Sequence, residues 1–401
     1  MPICPKSVDN APEFVLLISK AYPPVVGGVE TYAEEVAKAY LEKGLKPVIL
    51  TQTTGPIGLR TVHYPCGVVD LYNVNSSGDS SGMLKQRNQP LSLIRMFNIL
   101  PSIFRKYEFA FVHCTTWRPA VAVLPHLGKL PLILSIHGRE VLNFPTLLRP
   151  FLSLIVNRAT ALVAVSNATL SIAGPALGKA SVKKKGVRAF NGITFREQSF
   201  SFSRNYEITP PIIELLTVAR LAARKNIQSC LIALSELRDS GVENFRYTIA
   251  GKGPLLPQLT RLAKDLKLED KVSFLGYVPD CELPLLYQRS HVFLHPQTNE
   301  GEGNDFEGFG LVIADAMSFG CAVIAGKDGG PKDFVSHDVN GLIVDGSNLS
   351  DIVRSLRAVV TDQMLRNRLG SNAHAYALRE LSWSNHVETI IQSITQHLET
   401  N

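Results

Sequence analysis

Residues 292–317 read VFLHPQTNEGEGNDFEGFGLVIADAM, and the fold turns on this stretch. A short apolar run ends at His295-Pro296, an acidic glycine-rich loop follows, and an apolar helical pattern begins near Gly310. Strand, loop and helix in that order form half of a parallel crossover. Glu307 stands just before Gly308-Phe309-Gly310, so the amides of Phe309, Gly310 and Leu311 are expected to face outward at the start of a helix. Such amides suit a phosphate. The carboxylate beside them repels phosphate but accepts hydrogen bonds from sugar hydroxyls. Asp315 lies eight residues after Glu307; eight helical steps span roughly 12 Å, which suits a sugar at one end and a ribose at the other. The acidic set Glu300, Glu302, Asp305 and Glu307 also suits a hard cation, although EF-hand spacing is missing.

The same alternation extends in both directions. Apolar runs at 14–18, 47–50, 109–112, 132–136 and 161–165 predict buried strands in a first half. Runs at 214–218, 245–250, 272–275, 292–295, 322–325 and 341–344 predict them in a second. Helical periodicity at 28–41, 227–238, 255–266 and 310–318 falls between them. Continuous apolar strands alternating with helices argue for parallel sheets covered on both faces. The fold class is therefore α/β, with one domain over 1–195 and another over 205–380. The pattern at 383–401 is a last helix, expected to pack back on the first domain. The polar stretch 70–90 reads as an exposed loop, and 183–188 (KKKGVR) with 191–203 as the hinge.

Composition narrows the classes. In 401 residues, 45% are hydrophobic and 19% charged, so a packed core forms and wholesale disorder is excluded. A net charge of +6 over this length does not call for nucleic acid. Cys4, Cys66, Cys114, Cys230, Cys281 and Cys321 are scattered without a C-x-x-C pair, and read as reduced thiols of a cytoplasmic protein. No early segment has the form of a signal peptide, and no apolar run reaches the ~20 residues a bilayer span needs.

Four further turns carry candidate chemistry. Gly27-Gly28 opens a helix after the first strand, where backbone amides approach a phosphate or sugar. His137-Gly138 sits at the carboxyl end of a strand, where open α/β sheets bind ligands. Arg220 and Lys225 flank a tight turn and suit a diphosphate, the one as a fork and the other as a point charge, with Arg224 between them read as solvated. Gly251-Lys252-Gly253 lacks the full dinucleotide fingerprint and suits a close backbone approach to a nucleotide. Each is equally an ordinary turn when taken alone. Asp328–Asp333 is another glycine-rich loop, with Lys332 beside it.

Taken together, these segments resemble the GT-B retaining glycosyltransferases of family 4, across nearly the whole chain and most strongly at 215–344. Arg220 and Lys225 match that family's R-x4-K clamp. Residues 307–311 (EGFGL) match the start of its E-x7-E motif, with Asp315 where the second Glu usually stands. Residues 274–278 (FLGYV), including Tyr277 and Val278, look like its nucleobase-edge loop. The resemblance implies two Rossmann-like domains facing a cleft, with the nucleotide sugar on the second and a saccharide or lipid-linked acceptor on the first. It implies His137, Arg220, Lys225 and Glu307 as catalytic residues. Donor contacts are implied at Gly27, Gly28, Gly251, Gly253, Tyr277, Val278, Gly308, Phe309, Gly310, Leu311 and Asp315. No cofactor or metal is expected, since no D-x-D motif occurs, and no protein nucleophile is required. The donor is GDP-mannose or a UDP-hexose. A lipid-linked acceptor would bring Lys183–Lys185 to the inner face of a membrane. An epimerase or phosphorylase, and a non-catalytic nucleotide-sugar binder, are the alternatives on the same architecture.

Overall fold

The computed structural model describes residues 13–25, 27–75, 89–138, 149–195, 212–299 and 306–400. The chain divides into two compact units. The first is Met1–Val165, Leu170–Ala189 and Trp383–Asn401; the second is Ser166–Thr169 and Phe190–Ser382.

The first unit is built on β1 (Phe14–Ile18), β2 (Lys46–Thr51), β3 (Gly58–Tyr64), β4 (Gly67–Asn73), β5 (Phe109–Cys114), β6 (Leu132–Ile136), β7 (Ala161–Ala164) and β8 (Gly186–Arg188). Their order in one sheet is β3-β4-β2-β1-β5-β6-β7-β8. All pairs are parallel except β3 with β4. The central strands are buried except at Phe14 and Ala110, which are half-buried, as their mostly apolar runs require. Strand order reverses between β1 and β5, which opens a crevice beyond their carboxyl ends.

Two expectations are corrected here. Residues 70–73 are not loop but the end of β4, paired with β3 in an edge hairpin. The hairpin was hidden because β3 (GLRTVHY) alternates half-buried and exposed positions and carries no continuous apolar run. Residues 183–188 are not the hinge: Lys179–Lys185 is a helix, and Gly186–Arg188 joins the sheet as β8.

The helix Trp383–Thr400 belongs to the first unit. Trp383 is buried with its ring edge-on to Tyr32 at 5.7 Å, and His386 Nε2 meets the Tyr32 hydroxyl at 2.8 Å. That hydroxyl also meets Ser135 Oγ, which in turn meets His113 Nε2, while Tyr40 holds His113 Nδ1. A closed chain of buried polar groups therefore ties the last helix, the helix Gly28–Glu42 and two strands together.

The second unit carries β9 (Ile213–Val218), β10 (Phe245–Ala250), β11 (Val272–Gly276), β12 (Val292–His295), β13 (Ala322–Gly326) and β14 (Leu342–Val344). These form a wholly parallel sheet in the order β11-β10-β9-β12-β13-β14. This is the doubly wound order, with its reversal between β9 and β12. The helices Leu349–Thr361 and Gln363–Glu380 complete the unit, each started by a side-chain cap, Asn348 and Asp362. Sequence periodicity had not marked either helix.

Candidate active site

In the second unit, the chain leaves β9 through a 3-10 turn, Ala223–Lys225, and leaves β12 at His295. Both exits open on the crevice where the strand order reverses, so Lys225 and His295 are brought together. Asn226, in the left-handed region at φ 57°, fixes the first turn by donating from Nδ2 to the carbonyls of Pro296 and Gly346. Glu307 reaches into the same place. Its Oε2 accepts from Arg224 Nη1 at 2.8 Å and from Lys225 Nζ, and lies 3.3 Å from His295 Nε2. Its Oε1 has no protein partner among the described residues.

The charges of this cluster follow from its burial. Burial pushes the Glu307 carboxyl up, but Lys225, the His295 hydrogen bond and Arg224 together outweigh it and hold the group well below the usual carboxylate range. Burial, then Lys225, press His295 down to about 4, against the opposing pull of Glu307, so the imidazole is neutral at neutral pH. Arg224 and Lys225 both donate to Glu307 Oε2, and Oε1 remains an acceptor without a partner among the described residues. Cationic donors beside a carboxylate acceptor suit an anion and a hydroxyl side by side.

The loop carrying Glu307 is seated on the turn after β13. Gly330 N donates to Glu307 O at 2.8 Å. Gly329 has φ +87°, and a Cβ there would lie 2.3 Å from the same oxygen, so only glycine lets the loop sit so close. Gly308 follows, with Phe309 buried against Phe334. Gly310 caps the helix Leu311–Ser318.

Other expected positions fall differently. Arg224, read as solvated, holds Glu307, because the 3-10 turn aims it inward beside Lys225. Arg220 is exposed at the end of β9. Gly251 and Gly253 lie against the backbone of Ala219 and Leu221 and so shape the turn that carries Arg220. Tyr277 is exposed after β11, with Lys252 Nζ 5.9 Å from its ring centre, and Val278 is half-buried next to it. Asp315 is only 3% exposed, and its Oδ1 accepts from Thr194 N at 2.6 Å. The helix begins at Leu311, so Glu307 and Asp315 do not share one helix and the 12 Å helical span between them does not apply. Glu300, Glu302 and Asp305 lie outside the described residues. His295 is the residue that sequence reading passed over; its position at a strand's carboxyl end was the available signal.

In the first unit, Gly27 is the N-cap of the helix Gly28–Glu42, and a Cβ on Gly28 would meet nothing within 4 Å. His137 follows β6, with Nε2 3.0 Å from Thr115 O. A carbonyl only accepts, so Nε2 carries a proton. The ring packs edge-on to Tyr32 at 4.6 Å.

Two doubly wound units with parallel-dominated sheets are the architecture of the GT-B fold. Residues 26–180 match the family described as Glycosyltransferase Family 4, and residues 202–376 match Glycosyl transferases group 1. A GDP-mannose-dependent alpha-(1-6)-phosphatidylinositol monomannoside mannosyltransferase of Mycolicibacterium smegmatis is 30% identical over 281 residues, covering 67% of this chain and 73% of that enzyme. The enzyme of the same name from Mycobacterium tuberculosis is 31% identical over 169 residues, covering 42% of this chain, and the chain spans 44% of that enzyme's length. Among solved structures, Anabaena HepE in complex with UDP and glucose superposes with a TM-score of 0.69 at 18% identity, over 96% of this chain and 100% of the other. The chain belongs to the group 1 glycosyl transferases of family 4, which have the GT-B fold.

Proposed function

We propose that this chain is a retaining, metal-independent mannosyltransferase that moves mannose from GDP-mannose to a lipid-linked saccharide. The Glu307 cluster at the crevice of the second sheet carries the reading. Lys225, Arg224 and Arg220 supply the charge that a departing diphosphate needs, and preorganised charge of this kind is commonly the largest catalytic contribution. Glu307 Oε1 accepts from hydroxyls of the transferred sugar. The bond from the anomeric carbon to the phosphate oxygen breaks, and a bond to the acceptor oxygen forms on the same face. The acceptor's proton passes to the departing phosphate, so no protein nucleophile takes part. The choice of donor and acceptor class is supported by the names of the mycobacterial relatives.

The test is nucleoside diphosphate release from GDP-, UDP-, dTDP- and ADP-sugars, with and without chelator, in the presence of glycolipid acceptor extracts. UDP-sugars belong in the panel because HepE was solved with UDP. Release from GDP-mannose alone, unaffected by chelator, is expected. Lys225→Ala and Arg220→Ala should each lower kcat/KM by ~10²-fold. Release from a UDP-sugar instead would replace the donor, and near-normal turnover in both variants would refute the clamp. Inversion at the anomeric carbon of the product would overturn the retaining mechanism.

We also infer contact with an anionic leaflet, through the helix Arg149–Arg158 and its neighbour. Phe151 and Leu154 are each 58% exposed one turn apart, and Lys183 and Lys184 are exposed on the helix Lys179–Lys185. Lys185 does not share this role: its ammonium donates to the carbonyls of Val156, Asn157 and Ala159 and closes the first helix. Among the described residues no helix is long and apolar enough to cross a membrane. Vesicle co-sedimentation that ignores anionic lipid and salt would rule this contact out.

A further inference from the structure

We propose that Ser166 is a positioning residue for the donor's diphosphate: its hydroxyl fixes the Gly308–Phe309 peptide so that the Phe309 N–H faces the phosphate that carries the sugar. The inference rests on the reading that Glu307 takes the transferred sugar at the crevice of the second sheet. Ser166 stands two residues beyond β7 and, with 167–169, belongs to the second unit. It is fully buried, as is Thr169. Ser166 Oγ donates to Gly308 O at 2.7 Å, in the loop that carries Glu307.

A serine has one proton to donate. With that proton on Gly308 O, Ser166 Oγ accepts from Thr169 N at 3.0 Å and caps the helix Asn167–Leu177. Thr169 Oγ1 lies 2.9 Å from Ser166 Oγ and 3.4 Å from Gly308 O, so it supports the first hydroxyl and stands close enough to replace it. The turn after β13 grips the same parts. A Cβ on Gly330 would lie 2.1 Å from Gly308 O, and Gly330 N donates to Glu307 O. Three residues on, Asp333 Oδ2 accepts from Asn167 N at 2.5 Å. Two successive carbonyls of the loop, those of Glu307 and Gly308, are therefore both held.

In a trans peptide the carbonyl and the following N–H point in opposite directions. The Gly308 carbonyl turns to Ser166, so the Phe309 N–H turns away from it. That N–H has no acceptor among the described residues. Glycine at 308 leaves the peptide plane free to rotate if nothing holds it. Turned over, the plane would present a carbonyl oxygen, which repels an anion, in place of a donor. Glu307 Oε1 takes the sugar, so a free donor on the same loop is placed for the phosphate bonded to that sugar, which departs with the added charge. A hydrogen bond to such a charged group is about twice as strong as one between neutral groups. Ser166 touches no donor atom itself; it acts through the peptide.

Calorimetric titration of the full chain tests this, with GDP and UDP as probes, each beside its monophosphate. The variants are Ser166→Ala, the double variant Ser166→Ala/Thr169→Val and, as a control, Asp362→Ala, which removes the helix cap on Leu365 N and touches neither loop. The double variant should bind the diphosphate ~10-fold or more weakly than wild type, while the monophosphate loses less than ~2-fold. Should the alanine variants not fold, Ser166→Gly decides by the same contrast, since glycine is tolerated at a helix N-cap. Equal weakening of diphosphate and monophosphate would mean a general loss of structure and overturn the role. The same selective loss in Asp362→Ala would trace it to helix stability and also overturn it. A wild type that binds neither GDP nor UDP would remove the nucleotide-sugar reading and the role with it. A wild type that binds and turns over donor, with a double variant that binds diphosphate equally well, would keep the transferase and remove Ser166.

Discussion

At the scale of single residues, the contrast between Glu307 and Asp315 is the most informative. Both are acids of one motif, yet one is held by three nitrogen-bearing side chains and the other by a backbone amide. Glu307 keeps an oxygen for ligand because its partners among the described residues crowd onto Oε2. Asp315 is packed, with Oδ1 on Thr194 N. A carboxylate in that position secures the segment after Ile193 and does not face solvent. Asp315→Glu, which restores the more usual residue of the motif, should therefore lower stability. One methylene forced into a packed site costs roughly 1–3 kcal/mol. For a unit of this size that is a fall in Tm of about 2–12 °C. Thermal melting checks it, and an unchanged Tm with tighter nucleotide binding would mean that the longer side chain turns outward to the ribose.

At the scale of elements, the turns after the strands hold the chemistry, and their backbones are fitted to one another. Gly251 has φ +143°, and a Cβ there would lie 1.8 Å from Ala219 O. The contact is flanked by hydrogen bonds from Ala219 N to Ala250 O and from Leu221 N to Lys252 O, both 3.0 Å. Gly251→Ala must displace the Arg220 turn, so donor KM should rise by ~10-fold or more while the chain stays folded, since an alanine forced into positive φ and a close contact strains the backbone locally. Steady-state kinetics with circular dichroism separates that outcome from general unfolding. These elements also show what was legible in the sequence. The buried strands stood out because both faces are covered and most positions are apolar. The β3–β4 hairpin did not, because an edge strand alternates. The side chain of Lys185 spends itself on three carbonyls, which a run of lysines cannot reveal. His295 could be marked by its place at a strand's end, but its meeting with Arg224 required knowing that two separate turns share one crevice, which is a property of strand order.

At the scale of the whole molecule, each unit encloses a histidine that is neutral because it is buried. In the first, burial, with His386 and His137 adding to it, lowers His113 to about 3. In the second, burial and Lys225 lower His295 to about 4. An unfolded chain protonates both near pH 6.5. Between that pH and the folded values the unfolded state binds more protons, so stability rises with pH and is lost as pH falls. Glu307 acts in the same direction at lower pH, since a carboxyl held below its unfolded value gives up its contribution as pH falls through the folded value. Each histidine should cost on the order of 1–2 kcal/mol at pH 5 relative to pH 7.5. Urea denaturation at the two pH values measures the sum. His113→Asn and His295→Gln should each flatten the pH dependence while lowering the stability at pH 7.5, because each also breaks the hydrogen bonds of its cluster. Identical midpoints for the wild-type chain at both pH values would show that neither imidazole is kept neutral by its surroundings.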